Sequence, residues 1–265
     1  MISIAYEHEY AGRSHLFNLV DRLLRFDINQ EPIRHHASDP LWDQLKGPER
    51  SAKVYTGIME HELYFGEPLA STLQNIIPFH YFWGAYFELR PKRDIYTSRS
   101  YKIRHEDKVY HGCTGSAWHM RLLQGTPIIA TLAFKAAREE AVDIRREFPP
   151  SSSPTFQSDD ATLLIDEEPV SHLGFDFGFT HHSVYDTKDP FTPTEPRPYA
   201  FIGRLLADSV KAGTRKVDLT IRDTTGKEVQ FVFQAEFRAD GFYTGIVQPP
   251  GSEVADLQVY LRPPM

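Results

Sequence analysis

Glu60-His61-Glu62, followed by Glu67, puts carboxylates beside an imidazole. General acid–base chemistry uses this mixture, because a carboxylate orients a histidine ring and tunes its pKa towards neutrality. A solvated polar turn has the same composition. A second grouping is Tyr110-His111-Gly112-Cys113-Thr114-Gly115-Ser116-Ala117-Trp118-His119. A thiol beside an imidazole is a candidate nucleophile, since the ring can stabilise the thiolate. His111 and Cys113 share one face only where the backbone is extended, and Gly112 and Gly115 leave that open. The competing reading of Cys113 is a small buried hydrophobe.

Twelve histidines raise the question of metal binding. His35-His36 and His181-His182 are adjacent pairs, and neighbours on a strand point to opposite faces, so neither pair easily chelates one ion. Asp176 and Asp186 could complete a site around His181 and His182 across a fold. No His-x-x-x-His with an intervening glutamate occurs, and no metal site is expected. Gly-x-x-x-x-Gly-Lys-Ser/Thr, Gly-x-Gly-x-x-Gly and Gly-x-Ser-x-Gly are all missing from the sequence, which argues against nucleotide-dependent phosphoryl transfer, dinucleotide redox chemistry and α/β-hydrolase chemistry. No cofactor is expected.

The elements that must position these groups read mostly as strands. Ile2, Ile4, Tyr6, His8 and Tyr10 alternate with small or polar residues, which predicts a strand with one buried face. Leu16, Phe17, Leu19, Val20, Leu23 and Leu24 fall at helical spacing after a candidate cap at Ser14, with Asp21, Arg22 and Arg25 opposite, which predicts an amphipathic helix. Residues 39–45 suggest a short helix with Pro40 in its first turn. An apolar helix is expected over 69–77, ending at Pro78. Alternation then returns around Trp83–Leu89 and Ile95–Ile103. Residues 117–123 and 128–134, joined through Gln124-Gly125-Thr126, predict a hairpin. In the last third, Val217–Ile221, Val229–Phe237, Phe242–Val247 and Leu257–Leu261 alternate around turns at 223–227 and at Asp240-Gly241, as an antiparallel meander does. Phe231, Phe233 and Phe237 sit at core spacing.

Tyr64-Phe65-Gly66-Glu67-Pro68-Leu69-Ala70 and the strands after it resemble the hotdog fold of acyl-thioesterases and MaoC-type hydratases. Tyr86-Phe87-Glu88-Leu89-Arg90-Pro91 is similar to the first strand after that fold's helix, and Met120–Ala130 to its closing pair. The resemblance spans about residues 60–136. It implies an acyl-thioester-processing enzyme that hydrolyses the thioester, or hydrates or dehydrates the acyl chain, with acyl-CoA or an acyl carrier as substrate. On that reading the 69–77 helix lines an acyl tunnel, and Glu60, His61 and Glu67 supply the acid–base function. The hydratase signature, an Asp followed by Asn-Pro-x-x-His, is absent; residues 27–35 only echo it.

The alternative is a non-catalytic binding or assembly module. The hairpin at 216–237 resembles immunoglobulin-like β-sandwiches, which recognise proteins or sugars. The fold class expected is α+β, antiparallel and β-rich, with a hotdog-like first half and a meander or sandwich-like second half. The boundaries fall at 1–148, a Pro- and Ser-rich linker at 149–160, and 161–265.

With 265 residues and 41% hydrophobic content the chain is long enough for a substantial core. The net charge of −7 and the interrupted basic stretch from Arg90 to Arg104 argue against nucleic acid. One cysteine excludes an intrachain disulfide, and with no visible signal segment the expectation is a soluble, cytoplasmic protein. No apolar run approaches a membrane span. A homodimer through a self-complementary edge strand would be natural.

Overall fold

Period-two alternation between turn residues dominates the chain, and its structure is accordingly a set of antiparallel strands. The computed structural model describes residues 2–7, 18–20, 22–32, 53–63, 100–142, 155–180, 184–185, 193–195, 199–207, 210–224, 226, 228–247 and 257–262. The first segment contributes β1 (Ile2–Glu7), β2 (Asn18–Val20), β3 (Leu23–Pro32), β4 (Lys53–Glu62), β5 (Ser100–His105), β6 (Lys108–Leu123), β7 (Ile129–Ala136) and β8 (Arg138–Ala141). The second contributes β9 (Ala161–Ile165), β10 (Glu168–Pro169), β11 (Gly174–Thr180), β12 (Val184–Tyr185), β13 (Pro193–Glu195), β14 (Tyr199–Leu206), β15 (Gly213–Arg222), β16 (Glu228–Phe237), β17 (Phe242–Val247) and β18 (Leu257–Arg262).

A continuous antiparallel path runs β3–β4–β7–β6–β11–β14–β17–β16–β15–β9–β10. The 16-residue β6 serves two neighbourhoods. Its first half pairs with β5 and β8, and its second half with β7 and β11. The β6–β11 ladder matches Ala117–Leu123 with Gly174–Thr180, so hydrogen bonds join the segments before and after residues 149–160. Long β16 is likewise shared, with β15 on one side and β17 and β18 on the other.

Turn chemistry sets the reversals. Gly125 takes φ 75° between β6 and β7, and Gly241 takes φ 81° before β17, a region glycine enters without a Cβ penalty. Asp166 and Glu167 both have positive φ, as a two-residue primed turn between β9 and β10 requires. The hairpin expected around Gln124–Thr126 and the turn at Asp240-Gly241 are present, and at the turn expected over 223–227 the Gly226 N–H donates to the Asp223 carbonyl at 3.0 Å.

Burial follows the pleat. Residues Trp118, Met120 and Leu122 of β6, Leu132 and Phe134 of β7, Phe175 and Phe177 of β11, and Val217, Leu219 and Ile221 of β15 belong to one buried cluster with Phe231, Phe233 and Phe237 of β16. The rings interlock: Phe177 lies 4.8 Å from Phe233, and Phe175 lies 5.5 Å from Tyr243, both stacked. Ring contacts of this kind contribute about 1 kcal/mol each beyond the area they bury. The three phenylalanines of β16 are therefore packing residues and not a binding stripe.

The described residues are β-rich, with a single 3-10 turn at Ser158–Asp160, so the helical share of the α+β expectation is not met there. Where the helix over 16–25 is expected, the described residues 18–20 form β2 and Leu23 begins β3. Pairing of β3 with β4 supplies the backbone hydrogen bonds that a helix would have made internally. A register shift between Leu23 and Arg25 lets Leu23, Phe26 and Ile28 pack on the core while Leu24 is left 52% exposed. Leucines at helical spacing are thus split between core and solvent. The helices expected at 39–45 and 69–77 lie outside the described residues, as do 83–89, so the hotdog-like arrangement remains an expectation.

Residues 155–160 are fastened to the sheet. Phe156 is fully buried. Its N–H donates to the Leu63 carbonyl (2.9 Å), and its carbonyl accepts from the Ile128 N–H (3.0 Å). Ser158 donates its hydroxyl to the Leu123 carbonyl, and Asp159 Oδ1 accepts from the Gly125 N–H at 3.0 Å. Composition signalled the prolines and serines of 149–154 but not the aromatic anchor that follows them.

Candidate functional site

Strand geometry decides the acid–base grouping on β4. Successive residues face opposite sides, and His61 is wholly buried while Glu60 and Glu62 stand on the half-exposed face. His61 Nδ1 lies 3.1 Å from the Glu62 carbonyl, so Nδ1–H donates there and Nε2 is left as an acceptor. That Nε2 is buried and has no hydrogen-bond partner among the described residues. Burial pushes the His61 pKa down to about 4, against a smaller upward effect of the carbonyl, and the ring is neutral at pH 7. On the other face, Glu60 accepts from the Thr131 hydroxyl at 3.5 Å, and Glu62 pairs with Arg22 at 3.5 Å. The structure therefore separates His61 from both neighbouring carboxylates. Glu67 lies outside the described residues.

The thiol and imidazole of β6 face different partners. Cys113 is fully buried and its Sγ–H donates to the Tyr110 carbonyl at 3.3 Å. Gly112 has φ 62°, which breaks the extended backbone that would have aligned the two residues. His111 Nε2 sits 2.8 Å from Glu140 Oε2, and its Nδ1 is 3.5 Å from Arg138 Nη2, both on β8. His181, His182 and Asp186 lie outside the described residues. Among the described residues no three metal-ligating side chains converge.

Concave surface is found instead at the β9–β10 end of the sheet. Among the described residues, a cleft of about 400 Å³ opens between the β9–β10 turn and residues Ala207, Val210, Lys211 and Arg215. Ile165, Val170, Ala207 and Val210 line it and pack on the core, and buried Phe237 lines it as well. Lys211 and Arg215 bring two cations, and Asp166 and Glu168 bring two carboxylates. Asp166 is engaged: Oδ1 accepts from the Lys216 N–H at 3.0 Å, and Oδ2 accepts from Arg215 Nη1 at 3.0 Å. The backbone hydrogen bond first, and then Arg215, hold its carboxyl below the ordinary carboxylate range. Arg215 also donates from Nη2 to the Ala212 carbonyl at 3.0 Å, which fixes the guanidinium at both ends. A second cleft of about 470 Å³ adjoins across Pro169, Val170 and Ser171 and reaches Ser158 and His172.

Sequence reading passed over the cleft residues. Asp166-Glu167 was a visible signal, since an acidic pair between two β runs is turn chemistry. Nothing local revealed that the turn packs beside Lys211 and Arg215, about forty-five residues away, because β15 reaches β9 only through sheet pairing. The chain matches no protein-family model and no curated protein.

Proposed function

We propose that the chain is a non-catalytic binding module, and that the cleft between the β9–β10 turn and residues Ala207, Val210, Lys211 and Arg215 takes a small organic anion with an apolar body. One observation carries the reading: Ile165, Val170, Ala207, Val210 and Phe237 line about 400 Å³ together with two cations and two carboxylates. Small-molecule sites have this character, a concave apolar lining with a few convergent polar groups. Arg215 spends its charge on Asp166, which leaves Lys211 as the cation that meets a ligand carboxylate. Binding is favoured over acyl-thioester catalysis because His61 and Cys113 are fully buried and Glu60 faces away from His61.

Isothermal titration with octanoate tests the proposal. Binding is expected, and Lys211→Glu, an exposed position, should weaken it roughly tenfold through loss and reversal of one charge. Val210→Glu should abolish it by filling the cleft and repelling the carboxylate. Octanoate binding that ignores both substitutions, or no binding at all, would overturn the assignment.

A further inference from the structure

Strand edges are where a sheet leaves its backbone groups open to another chain. Among the described residues, β10, β2, β8 and β18 each pair on one side, and they run for two, three, four and six residues. Short edges limit the row of N–H and C=O groups on offer. β3 departs from this pattern. It is ten residues long, and among the described residues β4 is its sole neighbour. Its open stretch is bounded at both ends: a register shift interrupts it between Leu23 and Arg25, and Pro32 has no N–H to donate.

Backbone direction on this edge follows from two hydrogen bonds of the neighbouring chain. The Leu63 N–H donates towards β7, to the Ile128 carbonyl at 2.9 Å, and the Glu62 N–H donates the other way, to the Arg22 carbonyl at 3.2 Å. Alternation along an antiparallel strand therefore turns the backbone groups of Glu60, Ile58 and Thr56 towards β3. Their partners Arg25, Asp27 and Asn29 spend their own N–H and C=O groups on β4. The intervening Phe26, Ile28 and Gln30 direct theirs to the open edge.

The same stretch is self-complementary in sequence. Phe26 and Ile28 pack on the core, so Arg25, Asp27 and Asn29 stand on the outer face. Arg25 and Asp27 are about half exposed and pair with each other, and Asn29 is exposed. Turned antiparallel about Ile28, the strand meets itself with Phe26 opposite Gln30, Asp27 opposite Asn29 and Arg25 opposite Glu31. Ile28 with itself and Phe26 with Gln30 are the pairings whose backbone groups face the edge. The other two set an amide donor against a carboxylate and a cation against an anion, and two-fold symmetry repeats each. A two-fold about Asp27 would instead oppose two aspartates.

We propose that the chain forms a two-fold dimer in which β3 pairs antiparallel with β3 of a second copy, with Ile28 on the axis. Phe26, Ile28 and Gln30 exchange backbone hydrogen bonds across it, and Asn29 donates to Asp27 of the second copy. The homodimer expected from a self-complementary edge strand thereby acquires a strand and a register. β3 lies at the opposite end of the antiparallel path from β9 and β10, so the test does not depend on the cleft being occupied.

Sedimentation velocity of the full chain over a concentration series tests this. A monomer–dimer equilibrium is expected. Asn29→Asp opposes two carboxylates at each crossing and should weaken dimerisation roughly tenfold. The double variant Asp27→Lys/Asn29→Lys should weaken it likewise, through opposed cations. Mixing the two variants should restore dimers, because each carboxylate then meets an ammonium across the axis. Unchanged thermal midpoints establish that both variants are folded. Amide exchange of the parent reads the same edge without substitution: the N–H groups of Phe26, Ile28 and Gln30 should gain protection as concentration rises. A parent that stays monomeric at sub-millimolar concentration, a dimer indifferent to both variants, a mixture no more dimeric than its components, or edge amides that gain no protection would each overturn the proposal.

Discussion

His61 brings a neutral imidazole into the core, and its consequence is a pH-dependent stability. The folded-state pKa of about 4 lies below the ordinary 6.5, so the unfolded chain binds the proton more readily. The contribution is complete above pH 6.5 and is lost as pH falls from there towards 4. Over the whole interval it amounts to about 3 kcal/mol, and between pH 7 and pH 5 to about 2 kcal/mol. Burial lowers the His119 and His105 pKa values as well, with the same sign. Comparison with His61→Leu removes those shared effects. Urea midpoints of that variant should fall less between pH 7 and pH 5 than those of the parent, and an equal fall would contradict the burial argument. At this scale the sequence was legible in residue type but not in direction. Glu60-His61-Glu62 announced acid–base chemistry, whereas the strand pleat sends the ring and the carboxylates to opposite faces. Cys113 shows the same limit, since Gly112 turns the backbone between the thiol and His111.

Elements depend on glycines at two crossings. Gly57 of β4 pairs with Phe134 of β7, and the ring lies directly over it. A Cβ at Gly57 would come within 2.2 Å of Phe134 Cζ. Phe134 is 1% exposed and has no free space to retreat into. Gly57→Ala should therefore cost about 1–3 kcal/mol by overpacking. The same substitution in a Phe134→Leu background should cost much less, because the crowding ring is gone; additive costs in denaturant melts would refute the mechanism. Gly203 of β14 is the second crossing. A Cβ there would meet the Asp176 carbonyl oxygen at 2.1 Å and Tyr243 Oη at 2.2 Å, where the phenol donates to that same carbonyl. Alternation made the second half of β6, and β7, β15 and β16, readable from the sequence. It failed for the described residues between 18 and 25, where apolar spacing fits a helix as well as strands and pairing with β1 and β4 decides.

The whole molecule is organised by pairings that no local window contains. The β6–β11 ladder joins the segments on either side of residues 149–160, and Phe156 inserts between Leu63 and Ile128. Buried side chains from both segments form one cluster. Composition marked a proline- and serine-rich stretch at 149–160, yet it carried no information on which strands would meet across it. The cleft is a product of this level, because β9 and β10 acquire Lys211 and Arg215 as neighbours through β15. Chemical-shift mapping of an octanoate titration tests the central claim most directly. Backbone amides of Val170, Ser171, Val210, Lys211 and Arg215 should shift together and saturate with one affinity, while those around His61 and Cys113 stay in place. Shifts centred on His61 or Cys113, with the cleft amides unmoved, would contradict the account and return the chain to the catalytic reading.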